Sequence, residues 1–227
     1  MRILAIDTAL GACAAAIFDS AIGEVIASES LAMQRGHAEA LMPLIARVMD
    51  QAELDFSALD RIAVTVGPGS FTGLRVGIAA ARGIALTASR PVVGVSTLAA
   101  YAAPCIAEDF AEVTLAVVDA RHDHVFFQVF GEGGANRAAP RHAPLAEAIA
   151  ETPDGKVHLA GSAARLIRAQ WPSDRMQPDR MRQSPAPEIA WVARLGIAAV
   201  ADFAPAKPLY LRSPDARPQD SARLPRR

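Results

Sequence analysis

RIAVTVGPGSFTGLRVGIAAARGIALTA, residues Arg61–Ala88, is the stretch of sequence that decides the fold. Its first part, Ile62–Val66, is apolar and largely β-branched, which predicts a strand buried on both faces. A Gly-Pro-Gly sequence at residues 67–69 ends that strand, because proline lacks an amide hydrogen and glycine permits positive φ. Ser70 or Thr72 can cap a helix that then runs to the end of the stretch. The stretch therefore predicts a strand, a glycine turn and a helix.

Small residues recur along the predicted helix, and two of its glycines, Gly77 and Gly83, lie in its interior. Each interior glycine destabilises a helix by about 0.5–1 kcal/mol relative to alanine. Close approach of another helix or strand to the small face would compensate for that loss. We therefore expect a second backbone to pack against this helix.

The glycine turn resembles known phosphate-binding loops without matching one of them. A Walker loop needs a lysine, and none occurs between Gly67 and Ala88. The dinucleotide fingerprint GxGxxG would need its third glycine one residue before Gly73, and the GxSxG nucleophile elbow is absent. Free N–H groups at the helix N-terminus could still hold an anion. A tight turn without a ligand fits these residues equally well.

Composition predicts a compact protein of the cytoplasm. The chain has 227 residues, of which 52% are hydrophobic and 21% charged, and a net charge of -1 gives no field that favours nucleic acid or membranes. Cys13 and Cys105 have neither disulfide-framework nor metal spacing, which predicts two inert core thiols in a reducing compartment. The opening MRILAIDTAL reaches Asp7 too soon for a signal peptide, and the apolar run 189–201 is broken by Arg194 and too short to span a bilayer.

Two parts of the chain open in the same way. Residues 3–6 form an apolar run ending on Asp7, and residues 115–118 form one ending on Asp119. Each run is followed by a turn and a second strand. Residues 157–169 later repeat the order of strand, glycine and helix. This predicts an α/β protein with a duplicated actin-like ATPase (ribonuclease H-like) fold, made of two lobes of mixed β-sheet flanked by helices.

The repeat also predicts how the chain divides. We place the N-terminal actin-like lobe at residues 1–104 and a second, smaller lobe at residues 105–187. Residues 188–212 are expected to form a helix and a strand that pack back on the lobes. Residues 213–227 hold too little apolar surface to pack and are expected to be a disordered tail.

In this fold plan the two opening turns face each other across a cleft and bind a nucleotide. A carboxylate at a turn can hold Mg²⁺, and backbone N–H groups can hold phosphate oxygens, so ATP or ADP with Mg²⁺ is the one cofactor to consider. The candidate nucleotide-binding residues are Asp7, Thr8, Gly67, Gly69 and Asp119. Aspartate also commonly caps hairpin turns without binding a ligand, and the residues fit this alternative equally well.

A family resemblance follows from several strings of residues. The string TVGPGSFTGLRVGIAAARGIA, together with MRILAIDTAL, GHAEALMPLI, VVDARHDHVF and PLYLR, closely resembles the TsaB (YeaZ) family of bacterial proteins. The resemblance covers the chain from Met1 to about Arg212, and GPGSFTGLRVG is its most specific part. It implies the duplicated actin-like fold and a role in the biosynthesis of threonylcarbamoyladenosine (t6A) in tRNA.

The resemblance implies a non-catalytic subunit rather than an enzyme. Such a subunit binds and activates TsaD, which transfers threonylcarbamoyl to N6 of adenosine 37 in tRNAs reading codons that begin with A. The ATPase TsaE completes the complex. The chain is expected to contact tRNA through this complex and to form a homodimer when it is alone. TsaD carries an HxxxH metal motif, whose matching positions here are Thr97 and Tyr101. No histidine pair at i, i+4 spacing occurs in the chain, so neither a metal site nor a metallopeptidase is expected.

A non-catalytic subunit acts by contact, and two helices are the expected partner surface. Gly73, Gly77 and Ala81 would form a close-packed seam with the partner. The remaining expected interface residues are the apolar Leu41, Ile45, Leu74 and Ile78, with His37, Arg75 and Arg82. Two alternatives remain open: the small-residue helix packs only against its own sheet, or the protein is an active actin-fold ATPase or small-metabolite kinase that uses Asp7 and Asp119.

Overall fold

The computed structural model describes residues 1–108, 112–202 and 204–212. The strands are β1 (Arg2–Asp7), β2 (Ala12–Asp19), β3 (Glu24–Ala32), β4 (Arg61–Gly67), β5 (Val92–Ser96), β6 (Val113–Arg121), β7 (His124–Gly131), β8 (Arg141–Pro144), β9 (Val157–Ala160) and β10 (Arg180–Arg182). The helices are α1 (His37–Gln51), α2 (Phe71–Ala88), α3 (Thr97–Ala107), α4 (Leu145–Ala150), α5 (Ala164–Ala169) and α6 (Ile189–Ala198).

The strands form two five-stranded sheets of the same plan, with the orders β3-β2-β1-β4-β5 and β8-β7-β6-β9-β10. In the first sheet β1 is antiparallel to β2 and parallel to β4, and β4 is parallel to β5. In the second sheet β6 is antiparallel to β7 and parallel to β9, and β9 is parallel to β10. The predicted duplicated actin-like fold with two mixed sheets is thereby confirmed.

Each central strand is buried on both faces because helices cover both sides of its sheet. Leu4 and Ile6 of β1 pack in one core with α1 and α2, whereas Ile3 and Ala5 pack in another with α6. The alternation follows from the strand period of two residues. In the second sheet β6 divides in the same way, with α4 and α5 on one side and α3 on the other.

α3 and α6 form the layer between the two sheets. α3 packs on the second sheet, α6 packs on the first, and the two helices contact each other. The guanidinium of Arg61 donates to the carbonyl oxygens of Gly196, Ile197 and Ala199, at 2.8–3.1 Å, and so caps the C-terminus of α6. A single cation on β4 thereby fixes the end of the helix that joins the lobes.

Two details of the C-terminal half differ from what the sequence predicts. Arg180–Arg182 form β10, a strand that the sequence does not predict because it is short and polar and is paired only with its parallel neighbour β9. α6 ends at Ala198, and the strand expected before residue 212 is reduced to a bridge between Pro205 and Val93. α3 crosses residue 104, where the first lobe was expected to end, and the division into domains stays a prediction. The expected tail, 213–227, lies outside the described residues.

α2 lies unusually close to the turn that follows β1. A Cβ on Gly73 would collide with the carbonyl oxygen of Thr8, and a Cβ on Gly77 would collide with its hydroxyl. The Thr8 hydroxyl donates to the carbonyl oxygen of Gly73 at 2.7 Å, and the Ser70 side chain accepts from the Gly73 amide at the helix N-terminus. The second backbone expected against this helix therefore belongs to the chain itself. Over the described residues, no helix is both long and apolar enough to cross a bilayer.

We predict that alanine at Gly73 or Gly77 destabilises the protein, while alanine at Gly83 stabilises it. The first two substitutions force Thr8 and α2 apart, which should lower the free energy of unfolding by about 1–3 kcal/mol. No described atom lies within 4 Å of a Cβ built on Gly83, so Gly83→Ala should gain about 0.5–1 kcal/mol from helix propensity. Urea unfolding of the three variants measures the difference, and equal shifts at all three positions would contradict it.

Candidate functional site

A cleft of about 800 Å³ lies between the lobes. The N-terminus of α2 borders it on one side, and the β6–β7 hairpin borders it on the other. Its lining residues are Leu10, Gly11, Gln34, His37, Gly69, Ser70, Phe71, Asp119, Ala120, Arg121, His122, Phe126, Ser162, Gln183, Pro185 and Arg212. Among the described lining residues Asp119 is the one carboxylate, against the guanidinium groups of Arg121 and Arg212, so the cleft favours anionic ligands.

The β6–β7 hairpin brings Arg121 and His122 to the cleft. Arg121, His122 and Asp123 all adopt positive φ, between 52° and 65°. The carboxylate of Asp119 accepts a hydrogen bond from the Arg121 amide at 2.7 Å, and the Asp119 amide donates to the Ser162 hydroxyl at 3.1 Å. Asp119 therefore shapes the turn while its exposed side chain remains at the cleft.

Asp7 makes the same turn contact but is sealed inside the first lobe. Its Oδ1 accepts from the Ala9 amide at 3.0 Å and from the Thr65 hydroxyl at 2.6 Å, and Asp7 is 0% exposed. Its Oδ2 is buried without a hydrogen-bond partner among the described residues. Burial raises the pKa of Asp7 above its ordinary value of 3.8, against a smaller opposing effect from Thr65 and Ala9.

The structure thus brings only part of the predicted nucleotide set to the cleft. Gly69 and Asp119 line it. Thr8 is buried and bonded to α2, and Asp7 is buried beneath it. Gly67 faces the Leu74 side chain and the carbonyl oxygen of Leu209. The sequence did not indicate Arg121 and Arg212 as cleft residues, since their roles depend on the hairpin and on the path of the C-terminal segment.

The two α3 positions that match the TsaD metal motif lie in the interlobe layer. Thr97 is 0% exposed and Tyr101 is 4% exposed. The Tyr101 hydroxyl donates to the carbonyl oxygen of Ser184 at 2.9 Å, and burial raises the pKa of this phenol. Within the part of the chain that the structure describes, no group of three or more His, Cys, Asp or Glu side chains could hold a metal ion.

Most of the expected partner-interface residues are buried in the chain itself. α2 and α1 contact each other on the first sheet, and their inner faces fill its core. The buried members of the expected set are His37, Leu41, Ile45, Gly73, Leu74, Gly77, Ile78 and Ala81. Arg75 and Arg82 are exposed. Within this chain the small-residue face of α2 therefore packs on its own lobe, and the partner interface stays a prediction.

The outer face of α1 and α2 is a different set of residues, which we call the outer helical face. It consists of Ala38, Met42 and Ala46 of α1 with Phe71, Ala79, Gly83 and Leu86 of α2. Leu86 is 82% exposed and Met42 is 48% exposed. The sequence pattern does not indicate this face, because the more apolar side of each helix carries the predicted interface and is the side that the chain buries. Reading the opposite side of the same helical period would have found it.

Residues 204–212 run beside α2 and join the outer helical face to the cleft. The Arg82 guanidinium donates to the carbonyl oxygen of Ala206 at 2.6 Å, and the Leu209 amide donates to that of Val66 at 2.7 Å. The Tyr210 ring lies 5.3 Å from the Phe71 ring, whose face is covered by the guanidinium of Arg75 at 3.7 Å. This segment ends at Arg212, which lines the cleft.

The fold and the cleft together define the class of protein. It has the duplicated actin-like ATPase fold, with two mixed sheets and a cleft between the lobes. A sequence model of the family described as tRNA N6-adenosine threonylcarbamoyltransferase (TsaD) matches residues 23–181. The chain belongs to this family, and within it is similar to proteins named TsaB or YeaZ.

Two sequence relatives and one solved structure show the extent of this similarity. The "tRNA threonylcarbamoyladenosine biosynthesis protein TsaB" of Escherichia coli is 39% identical over 127 residues, 56% of this chain and 54% of that protein. An uncharacterized protein of Mycobacterium tuberculosis is 33% identical over 220 residues, 95% of this chain and 94% of that one. The structure of YeaZ from Pseudomonas aeruginosa superposes with a TM-score of 0.74 at 28% identity, covering 92% of this chain and 99% of that one. The chain thus aligns with about half the length of the E. coli relative.

We predict that the Asp7→Asn variant folds, and that its stability relative to wild type is greater at higher pH. The amide oxygen of asparagine can accept both hydrogen bonds that Oδ1 of Asp7 accepts, while no charge remains to be buried. Because the folded-state pKa is raised, wild-type stability falls as pH rises from 3.8 through that pKa, and this loss is absent in the variant.

The unfolding free energy of the variant minus that of wild type should therefore increase across that pH window and stay constant above it. Urea titrations of both proteins at several pH values measure it. A variant that is less stable than wild type at neutral pH would show that the native protein stabilises the ionised Asp7.

Proposed function

We propose that this chain is a non-catalytic subunit in the synthesis of t6A in tRNA. In this role it binds and activates a TsaD-type catalytic subunit, together with the ATPase TsaE, for threonylcarbamoyl transfer to N6 of adenosine 37. The name of the E. coli relative and the family match support a part in that biosynthesis. The chain would contact tRNA through the assembled complex. Its net charge of -1 does not oppose such a contact.

The observation that carries the non-catalytic assignment is the environment of Thr97 and Tyr101. At these α3 positions the resemblance to TsaD would call for a pair of histidine ligands on a cleft. Here both side chains are buried, and the Tyr101 hydroxyl is bonded to the Ser184 carbonyl in the interlobe layer. A catalytic metal would need side chains that can ligate it and an open coordination position. Neither position supports that chemistry.

A subunit without such chemistry must act by contact, and the outer helical face supports this. It carries exposed apolar residues on two helices that contact each other, and the exposed Arg75 and Arg82 lie on the same side of α2, so apolar and cationic groups occur together as in many protein-binding surfaces. Gly83 adds no side chain to this face, so a partner helix can approach the α2 backbone closely. In the absence of TsaD, the same face of a second copy could occupy it in a two-fold homodimer.

We predict that reconstituted t6A formation depends on this chain. The assay combines it with TsaD and TsaE of the same organism, the enzyme that makes threonylcarbamoyl-adenylate, and unmodified tRNA. Modified nucleoside is quantified by mass spectrometry. Full activity without this chain would overturn the proposed function.

A nucleotide bound in the cleft is the second candidate, and the anion-favouring lining of the 800 Å³ cleft supports it. The same reconstitution separates the two roles. Activity that needs the chain but survives Asp119→Ala supports a contact role alone. Activity lost with Asp119→Ala, in a variant with wild-type unfolding behaviour, supports a nucleotide in the cleft.

We predict that a side chain at Gly83 blocks partner binding without weakening the fold. Gly83→Arg places a long charged group on the outer helical face, at a position where a Cβ meets no described atom within 4 Å outside the α2 backbone. TsaD binding should weaken by at least about tenfold, or about 1.4 kcal/mol. Leu86→Glu should act in the same direction because it puts charge on the same face. Isothermal titration calorimetry with TsaD measures both.

The matched control is Leu166→Glu, which changes another exposed leucine on α5 of the second lobe. This variant should bind TsaD like wild type. All three proteins should unfold at wild-type denaturant concentrations or higher. Wild-type affinity in both Gly83→Arg and Leu86→Glu would place the partner surface elsewhere.

A further inference from the structure

A second cavity, of about 420 Å³, opens at the C-terminal end of α3. It lies between α3 and the edge of the second sheet formed by β9 and β10. Its lining residues are Cys105, Glu108, His158, Leu159, Arg180, Met181 and Arg182. None of these residues lines the interlobe cleft, so the two cavities are separate.

An unpartnered imidazole forms part of its inner wall. His158 lies on β9 in register with Thr114 of β6 and Arg180 of β10, on the sheet face that α3 covers. It is 1% exposed, and neither ring nitrogen has a hydrogen-bond partner among the described residues. The Asp179 carboxylate is 3.8 Å from Nε2, which is too far for a hydrogen bond. A buried imidazole with neither ring nitrogen hydrogen-bonded to a described residue is rare in folded proteins, so its presence at a cavity points to a ligand.

Two guanidinium groups and three carboxylates lie at the mouth of this cavity. Glu108 bridges the pair, because its Oε2 lies 3.4 Å from Arg180 and its Oε1 pairs with Arg182. Asp179 and Glu188 lie at the rim, 4.0 Å from Arg180 and 3.5 Å from Arg182. The carboxylate of Glu108 thus occupies the position from which one oxyanion can contact two guanidinium groups.

We propose that this cavity binds a small oxyanion, a carboxylate or a phosphate, between Arg180, Arg182 and His158. The oxyanion takes the place of the Glu108 carboxylate on the two guanidinium groups, whose planar donor arrays match such groups. Its inner oxygens accept a hydrogen bond from the His158 ring. Glu108 is then an internal competitor that moves towards solvent when the anion binds.

Proton uptake accompanies binding in this site. Burial lowers the pKa of His158, Arg180 and Arg182 act in the same direction, and Asp179 and Glu108 oppose them. Burial raises the pKa of the neighbouring Cys105 thiol to about 11, so this part of the wall carries no charge at neutral pH. An anion against the ring favours the imidazolium form. Binding therefore tightens as the pH falls through the titration range of His158.

The test is an NMR titration of the full chain with sodium phosphate and, separately, with sodium malonate. The His158 ring signals are assigned by their loss in His158→Asn. We expect a saturable shift of these signals, tighter binding at about pH 6 than at about pH 8, and a higher His158 pKa with the anion present. A response to either probe supports the site, and the two titrations identify which oxyanion it takes.

Variants at the mouth separate a built site from general anion attraction. Arg182→Ala and Arg180→Ala should each weaken binding by about tenfold, whereas Glu108→Gln should tighten it several-fold because the competitor loses its charge. Arg165→Ala, at an exposed arginine on α5, is the control and should bind like wild type. The proposal is overturned if wild-type His158 signals do not respond to either anion, or if Arg165→Ala weakens binding as much as Arg182→Ala. It is also overturned if Glu108→Gln does not tighten binding.

Discussion

The contact on which the rest of the first lobe depends is the approach of α2 to Thr8. The Thr8 hydroxyl donates to the carbonyl oxygen of Gly73, and the Ser70 amide donates to that of Ala9 at 2.7 Å. Side chains larger than hydrogen at Gly73 and Gly77 would prevent this approach. It seals Asp7 beneath the helix and places the start of α2 at the cleft. The glycine-rich sequence is therefore explained by packing inside one chain.

Because of this contact, one face of α2 is buried and the other is exposed. The inner face joins the core of the first lobe, so the apolar residues Phe71 and Leu86 on the outer face remain exposed. Residues 204–212 then run along the helix and carry Arg212 to the cleft. A partner on the outer helical face would contact a helix whose N-terminus borders the cleft, so surface and cleft share one rigid element.

The second lobe repeats the plan of the first with different chemistry at equivalent positions. Asp7 and Asp119 both accept a hydrogen bond from the amide two residues later, yet Asp7 is buried and Asp119 is exposed. Among the described residues no helix comparable to α2 covers Asp119, and α5, the helix that follows β9, is only six residues long. The duplication therefore fixes backbone geometry at both turns, whereas burial and charge are set locally by the element packed above each turn.

The sequence by itself determined the duplicated fold and the central buried strands and narrowed the cap of α2 to Ser70 or Thr72, because these depend on local periodicity and turn chemistry. It also indicated Gly69 and Asp119 as cleft residues. Only the tertiary structure decided which face of α2 is buried, since an apolar stripe predicts burial but not the partner that covers it. The positions of Arg121, Arg180, Arg182 and Arg212 could not be predicted either. Long cationic side chains are placed by the hairpin, the edge strand and the C-terminal segment that carry them, and no local pattern encodes those paths.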